Sequence, residues 1–595
     1  MSTTTTTLST LRELASLITT SIDTIEATYA SHDVDFPSLA AHTFSPTDPA
    51  EKLRQDPIVS GAILAIVAAT AQLSAEVASP IVSGMQASQS HFISACLNTA
   101  LELNVVELLS EAGPGGMHVR EIAGASNTNP GLVARVLRLL ATHHIFREVS
   151  TDVFANNRIS AVFNKAKSPR ELFEKPAQRF DGSGSESLAA LAEHMSTINF
   201  RSAAELTNTV KYASPMNGSK SKQILPFHRA FDTKLSFYEW LHQPENVLPF
   251  KRFALAMKGV SEMKPGDGIL EGGFDWGSLP AGSQIVDVGS GNGQVSLHIA
   301  QKYPELRIVN QDLASQIAGA EKYWQQNLPL HIDQDLVEFQ AHDFFTPQPV
   351  KDADIFLLRY ITHNWQDDKV VQILQHLRNA AKPETRLVLI DDVVPGAARN
   401  SGSESDSANL HIRPVAPAPL LPNWGIAKAQ TYYTDLIMYL LVDGVERTVD
   451  AFSRVLDCAG WKLQRVYYPS GADQSHVVAI PLVATSHAPA TRHLCPSRPA
   501  RPAAAGSHPQ PDVQPRQSKT FPAFAGPQAP PQGSIHLHHA GVDLDNSRGS
   551  GASQYVPDGP GGMLATDIRC PCPPPVPRRR RATSSSLAPP PLSKD

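Results

Sequence analysis

Hydrophobic spacing divides the chain before any chemistry is considered. Leu8, Leu11, Leu14, Leu17 and Ile18, then Ile22 and Ile25, recur at helical intervals; the pattern breaks at His32 to Asp48 and resumes from Ile58. Residues 1–90 therefore predict an accessory helical layer. A second amphipathic helix is predicted from Phe92 to Leu109, through Ala100, Leu101, Leu103 and Val106, ending before Gly113-Pro114-Gly115-Gly116. His118 to Ala123 and Pro130 to Ala141, separated by a turn at Asn127 to Asn129, read as two short helices. Ile145-Phe146 and Val153-Phe154 follow as a small hairpin, so residues 91–165 have the element order of a winged helix. Residues 166–282 keep helical spacing and are rich in aromatic positions: Phe227, Phe231, Phe237, Tyr238, Trp240, Phe250 and Phe253.

From Ser283 the rhythm changes. Strands at Ile285–Val288, Arg307–Asn310, Leu336–Gln340, Ile355–Arg359 and Arg386–Ile390 alternate with helical stretches, the last of them Asp367 to Ala381. That alternation predicts an α/β layer, a mostly parallel sheet with helices on both faces. Residues 395–422, rich in Ser, Gly, Pro and Ala, interrupt it and read as a surface insertion. Helices at Tyr432–Leu441 and Phe452–Cys458, then strands at Leu463–Tyr468 and Val477–Leu482, predict an antiparallel end to the sheet and close a domain spanning 283–484.

Composition changes the picture in three places. Beyond Thr485 the chain is rich in Pro, Ala, Ser and Arg, and 485–595 reads as a disordered tail, with Arg578 to Arg581 near its end. A net charge of −6 gives no nucleic-acid footprint in the body of the protein, and the second helix of the winged-helix region carries only Arg135 and Arg138, so packing is favoured over groove binding. The five cysteines do not space as a disulfide framework or a zinc site, and no secretory leader is evident, so a reducing, cytoplasmic setting is expected. The apolar window Ile58 to Ala71 is short and interrupted by Ser60, Gly61 and Thr70, which favours a buried or dimer-forming helix over a membrane span.

The candidate chemistry centres on Ile285 to Gly293. Strand residues deliver Asp287, then glycines at 289, 291 and 293 precede a helix, a turn that lets backbone approach a ligand in front of free helix N–H groups. The spacing Gly289-x-Gly291-x-Gly293 does not match the dinucleotide fingerprint, and no P-loop lysine follows. A ligand with a ribose and an amino-acid portion but no phosphate fits the site; S-adenosylmethionine is such a molecule.

The glycine turn, Asp312, His342-Asp343-Phe344, Arg359-x-x-x-His363-Asn364-Trp365, Asp391-Asp392 and Gly444-x-Glu446-Arg447-Thr448, taken in order, resemble the plant- and fungal-type S-adenosylmethionine-dependent O-methyltransferases, the caffeate and flavonoid type. The flavour is nearest to the fungal enzymes of the sterigmatocystin and aflatoxin type. The match runs from about Ser90 to Leu482 and includes the winged helix, which in that family serves dimerisation. The resemblance implies a Rossmann-like methyltransferase domain behind a helical dimerisation domain, a homodimer, and an aromatic small-molecule acceptor with no nucleic acid or membrane partner. It further implies cofactor contacts from Gly289 to the methionine portion, from Asp312 to the ribose hydroxyls, and from Asp343 and Phe344 to the adenine. Arg359 stands where the family usually has a lysine, a replacement that keeps charge but not geometry.

By the same resemblance His363 is the catalytic base, flanked by the acids Asp391 and Glu446, which hold the ring and stabilise its charged form. The family more often has glutamate at the Asp391 position, and Asn364 replaces its usual aspartate. Met438, Phe253 and Met257 align with acceptor-pocket residues, with ordinary core packing as the competing account of each. No acidic cluster of metal-ligand spacing accompanies these motifs, so a metal-independent reaction is expected. Two other readings stay open: a catalytically silent regulator that keeps the fold, and transfer of the methyl to nitrogen or carbon.

Overall fold

The computed structural model describes residues 7–182, 186–212, 224–262, 270–399, 413–469 and 474–482. The expected tail at 485–595, with its arginine run, lies outside them.

Numbering the longer helices, α1 (Thr7–Ser31) and α2 (Pro57–Val77) form an apposed pair. Leu14, Ile25 and Tyr29 of α1 are buried against Val59, Ala62, Ala68 and Ala69 of α2. Asp56 caps α2 by accepting from the Ile58 and Val59 amides, with Pro57 preset in the first turn. The outer face of α2 leaves Ile58, Val67 and Val77 exposed, and by length and composition the helix is apolar enough to cross a membrane. A short helix, α3 (Pro80–Gln89), follows and buries no residue.

The helix expected over Phe92 to Leu109 is two helices, α4 (His91–Glu102) and α5 (Val105–Ala112). Asn104 at the break has φ 52° and ψ 35°, the left-handed region that asparagine tolerates better than most residues. Carbonyls freed by the break need a donor, and the buried Lys165 supplies one. Its Nζ donates to Leu101 O at 3.2 Å and to Asn104 Oδ1 at 3.5 Å while pairing with Glu107 at 3.3 Å. The turn thereby folds both helices into one core with α6 (Val119–Ala125) and α7 (Pro130–Thr142). A small antiparallel sheet of order β1-β3-β2, with β1 (Met117–His118), β2 (Arg147–Ser150) and β3 (Val153–Ala155), closes this unit.

A helix α8 (Ser187–His194), continued by a π-helical turn at Met195–Asn199, packs along α9 (Val247–Glu262). Beyond them lies a seven-stranded sheet of order β6-β5-β4-β7-β8-β10-β9. Its strands are β4 (Gln284–Val288), β5 (Arg307–Asp312), β6 (Val337–Ala341), β7 (Ile355–Arg359), β8 (Arg386–Asp392), β9 (Trp461–Tyr467) and β10 (Gln474–Pro481). The first five are parallel, and β10 runs antiparallel to both β8 and β9. Alternate residues serve opposite layers. Val286, Phe356, Leu358, Leu387 and Leu389 meet α12 (Asp367–Arg378) and α14 (Val449–Cys458), whereas Ile285, Ile308, Leu357, Val388 and Ile390 meet α10 (Gln294–Lys302) and Trp324 of α11 (Ala314–Asn327). One further helix, α13 (Gln430–Val442), leads into the turn before α14.

Among the described residues of the insertion at 395–422, Ala416 and Leu420 anchor it, buried against Leu14, Ala68 and Ala69, and Gln72 donates to Pro419 O at 3.0 Å. Its apolar residues have a partner layer more than 300 positions away, which local composition does not reveal. Among the described residues Cys96 is a free thiol.

Candidate active site

The lateral strand order puts the ends of β6, β5, β4, β7 and β8 in one row. Sequence neighbours β4 and β5 pair on one side while β4 meets β7 on the other, so the crossovers diverge at the carboxyl end of β4, where open α/β sheets leave a crevice. The glycine turn sits there. Amides of Gly289 and Ser290 donate to Gln311 O at 2.8 and 3.0 Å, and that of Gly291 to Asp312 Oδ2 at 2.8 Å, tying the turn to the end of β5. Gly289 has φ 73°, and a Cβ there would lie 2.5 Å from the Ile361 side chain; one on Gly293, φ 66°, would lie 2.5 Å from Trp324 Nε1. Side chains are excluded at both positions by neighbours as well as by backbone angle.

Around this turn the residues expected to hold a cofactor are gathered. Asp312 stands at the end of β5 with its carboxylate turned to the glycine loop, and also accepts from the Leu313 amide at 2.7 Å. Phe344 lies across from Gly289, 3.5 Å from where a Cβ would be, and with Ile361 makes an apolar slot. Asp343 beside it is exposed and accepts from the Phe345 amide at 2.9 Å. Asp287 at the floor is buried, and burial lifts its pKa to about 6 against the pull of its neighbours. Ser290 Oγ and Arg359 Nε are buried with no hydrogen-bond partner among the described residues, a polar deficit between β4 and β7 that a polar ligand would fill. A carboxylate, an apolar slot and free polar atoms suit a nucleoside with an amino-acid arm.

His363 lies in a 3₁₀ turn, Thr362–Asn364, just past β7. Its Nδ1 is 2.7 Å from Glu446 Oε1, and both side chains are almost entirely buried. The two meet across 83 residues because the turn after α13 is stitched to the histidine turn. Val445 N donates to His363 O at 2.9 Å, Gly444 N to Met438 O at 3.1 Å, and Glu446 N to Asp435 Oδ1 at 2.9 Å. Arg447 donates to Thr362 O at 2.7 Å and Trp365 O at 2.8 Å and pairs with Asp367. Asp391 does not share this edge: Thr362 Oγ1 donates to its Oδ2 at 2.5 Å. Fully buried, Asp391 has its pKa pushed up to about 7 by desolvation, with His363 pulling the other way.

Met438, in the last turn of α13, is 3.1 Å from where a Gly444 Cβ would be, close to the His363 carbonyl. Phe253 lies in an aromatic cluster with Phe237 at 5.2 Å and His194 at 5.4 Å, a cluster that α13 enters through Ile437, Leu440 and Leu441. Met257, one turn along, is 38% exposed and outside that cluster. Sequence reasoning assigned no role to Tyr360, Thr362, Gln474 or Arg447. Only Arg447 carried a signal, as part of the quoted Gly444 to Thr448 pattern.

The chain matches a family model for the O-methyltransferase domain over residues 217–413 and one for the O-methyltransferase dimerisation domain over 85–166. It is 38% identical over 482 residues to an O-methyltransferase of Armillaria gallica, covering 80% of this chain and 100% of that protein. A 4-O-methyltransferase 1 of Phanerochaete chrysosporium is 38% identical over 459 residues, 77% of this chain and 95% of its own. Among solved structures, LepI in complex with SAM shares the fold, with a TM-score of 0.51 at 21% identity, covering 73% of this chain and 98% of that one.

Proposed function

The chain belongs to the S-adenosylmethionine-dependent O-methyltransferase family, and from that premise we propose that it methylates a phenolic hydroxyl of an aromatic secondary metabolite, with polyketides the favoured class. The observation that carries the reading is the His363–Glu446 pair at 2.7 Å beside the glycine turn. S-adenosylmethionine, when bound, supplies a methyl group already activated on a sulfonium. The protein's share is alignment and deprotonation. Gly289 would leave room for the methionine arm, Asp312 would accept from the ribose diol, and Asp343 and Phe344 would hold the adenine. Arg359 lends charge from the end of β7. A phenol, with a pKa of about 10, is a poor nucleophile until its proton is drawn off. The Nε2 of His363 takes that proton, while Glu446 holds Nδ1–H and compensates the imidazolium that forms. Asp391 anchors the turn through Thr362. Because this pair performs the deprotonation, the reaction needs no metal. Met438, Phe253 and Met257 are proposed to wall the acceptor, and a homodimer through residues 85–166 is proposed on the dimerisation-domain match. The reading includes a cytoplasmic setting, which fractionation of native protein would test.

Calorimetric titration with S-adenosylmethionine and, as control, NAD should show micromolar binding of the first alone. A transfer screen over hydroxylated anthraquinones, xanthones and simple phenols should then find turnover, and His363→Ala should keep cofactor binding and lose it. Turnover surviving in His363→Ala removes the base assignment, and binding without transfer to any acceptor favours a silent member of the family.

A further inference from the structure

We propose that Tyr360 is a positioning residue for His363, its ring lying on the face of the imidazole, fixing the plane in which Nε2 is presented and stabilising the protonated ring. The two rings are close to parallel, 21° apart, with centroids 4.9 Å from each other. Glu446 meets the imidazole at its Nδ1 edge. The Tyr360 ring adds a contact on the face, which fixes the plane of the ring and so the direction in which Nε2 points.

The backbone at Tyr360 is set for this task. Its φ of 53° is in the left-handed region, uncommon for an aromatic residue, and turns the side chain back over the residue three positions later. Three bonds hold it. Tyr360 N donates to Ile390 O at 3.1 Å, Asn364 Nδ2 donates to Tyr360 O at 2.8 Å, and Gln474 Nε2, from the buried side chain in β10, donates to Tyr360 Oη at 2.6 Å. Burial keeps the phenol neutral by raising its pKa well above 10. A neutral, electron-rich face attracts an imidazolium more than an imidazole, so the stack favours the charged form. Charged and titratable groups around His363 include Glu446 on its edge, Asp391 from β8, Arg447 on the Thr362 carbonyl, and Arg359 and Asp392, which flank Tyr360.

The inference rests on His363 as base, so its test avoids turnover. In full-length protein with 13C-labelled histidine, the His363 signal, assigned by its loss in His363→Ala, is titrated against pH. Tyr360→Leu should lower the midpoint by about half a pH unit or more, and Tyr360→Phe should leave it in place. If the leucine variant fails to fold, pentafluorophenylalanine at position 360 keeps the shape of phenylalanine and reverses its ring polarity; a midpoint below that of Tyr360→Phe is expected. Equal midpoints in all variants would overturn the proposal. Turnover of His363→Ala on a phenol judges the base assignment separately, since the midpoint shift does not depend on it.

Discussion

Asp391 shows what burial does to one carboxyl group. Its folded pKa is about 7, raised chiefly by desolvation, whereas in the unfolded chain it titrates near 3.9. Between roughly pH 4 and 7 the unfolded state has released a proton that the folded state still holds, so stability falls as pH rises through that window and levels above it. Asp391→Asn keeps an acceptor for Thr362 Oγ1 and removes the ionisation. The variant should melt higher than the wild type at pH 8 and show little difference at pH 4.5, by calorimetry in matched salt. A variant less stable at pH 8 would mean that the ionised form is held by His363 and Arg447, and that burial is not the dominant influence.

At the scale of elements, the site depends on how closely two turns meet. A Cβ on Gly444 would lie 2.2 Å from His363 O, 3.1 Å from Met438 Cβ and 3.3 Å from Asn364 Cα, so two of the three obstacles are backbone. Gly444→Ala should push the Glu446 turn off the histidine turn, breaking the Val445–His363 hydrogen bond and lengthening the His363–Glu446 pair. We expect a stability loss of about 1–3 kcal/mol and a fall in kcat with cofactor affinity retained, read from melting and steady-state assays. Unaltered kcat would show that the pair tolerates the displacement. The sequence made part of this legible. The strands announce themselves because β4, β7 and β8 are buried on both faces and read as apolar runs, and the glycine turn because its spacing is dictated by Ile361 and Trp324. The break at Asn104 was hidden, since apolar spacing continues across it and its cause, Lys165, lies 61 residues on. The Thr362 partner of Asp391 was hidden as well, because a hydroxyl one position before the histidine carries no pattern.

Across the whole molecule, the N-terminal helices matter through what they touch and what they leave open. α3 buries nothing; Ile81 is 79% exposed, with Val82, Met85 and Phe92 exposed nearby, at the start of the stretch that matches a dimerisation domain. If copies meet there, Ile81→Glu with Met85→Glu should shift the light-scattering mass from two chains to one; a dimer that persists would place the contact elsewhere. The inner faces of α1 and α2 do something different. They receive Ala416 and Leu420, and the segment they grip is bound on its other side to α13: Asn423 Nδ2 donates to Tyr432 Oη at 2.6 Å, and Tyr432 Oη to Pro395 O at 2.7 Å. Tyr432 opens α13, and Met438 and the Glu446 turn follow from it. Support therefore runs from α1 and α2 through Leu420 to α13, the proposed wall of the acceptor site. Leu420→Ala removes a fully buried side chain, worth roughly 2–5 kcal/mol in stability. Because the path leads to the helix proposed to wall the acceptor, the acceptor KM should rise while the Kd for S-adenosylmethionine stays within twofold. Parallel weakening of both would mean that the strap supports the fold as a whole, and unchanged values for both would mean that α13 holds its place without it.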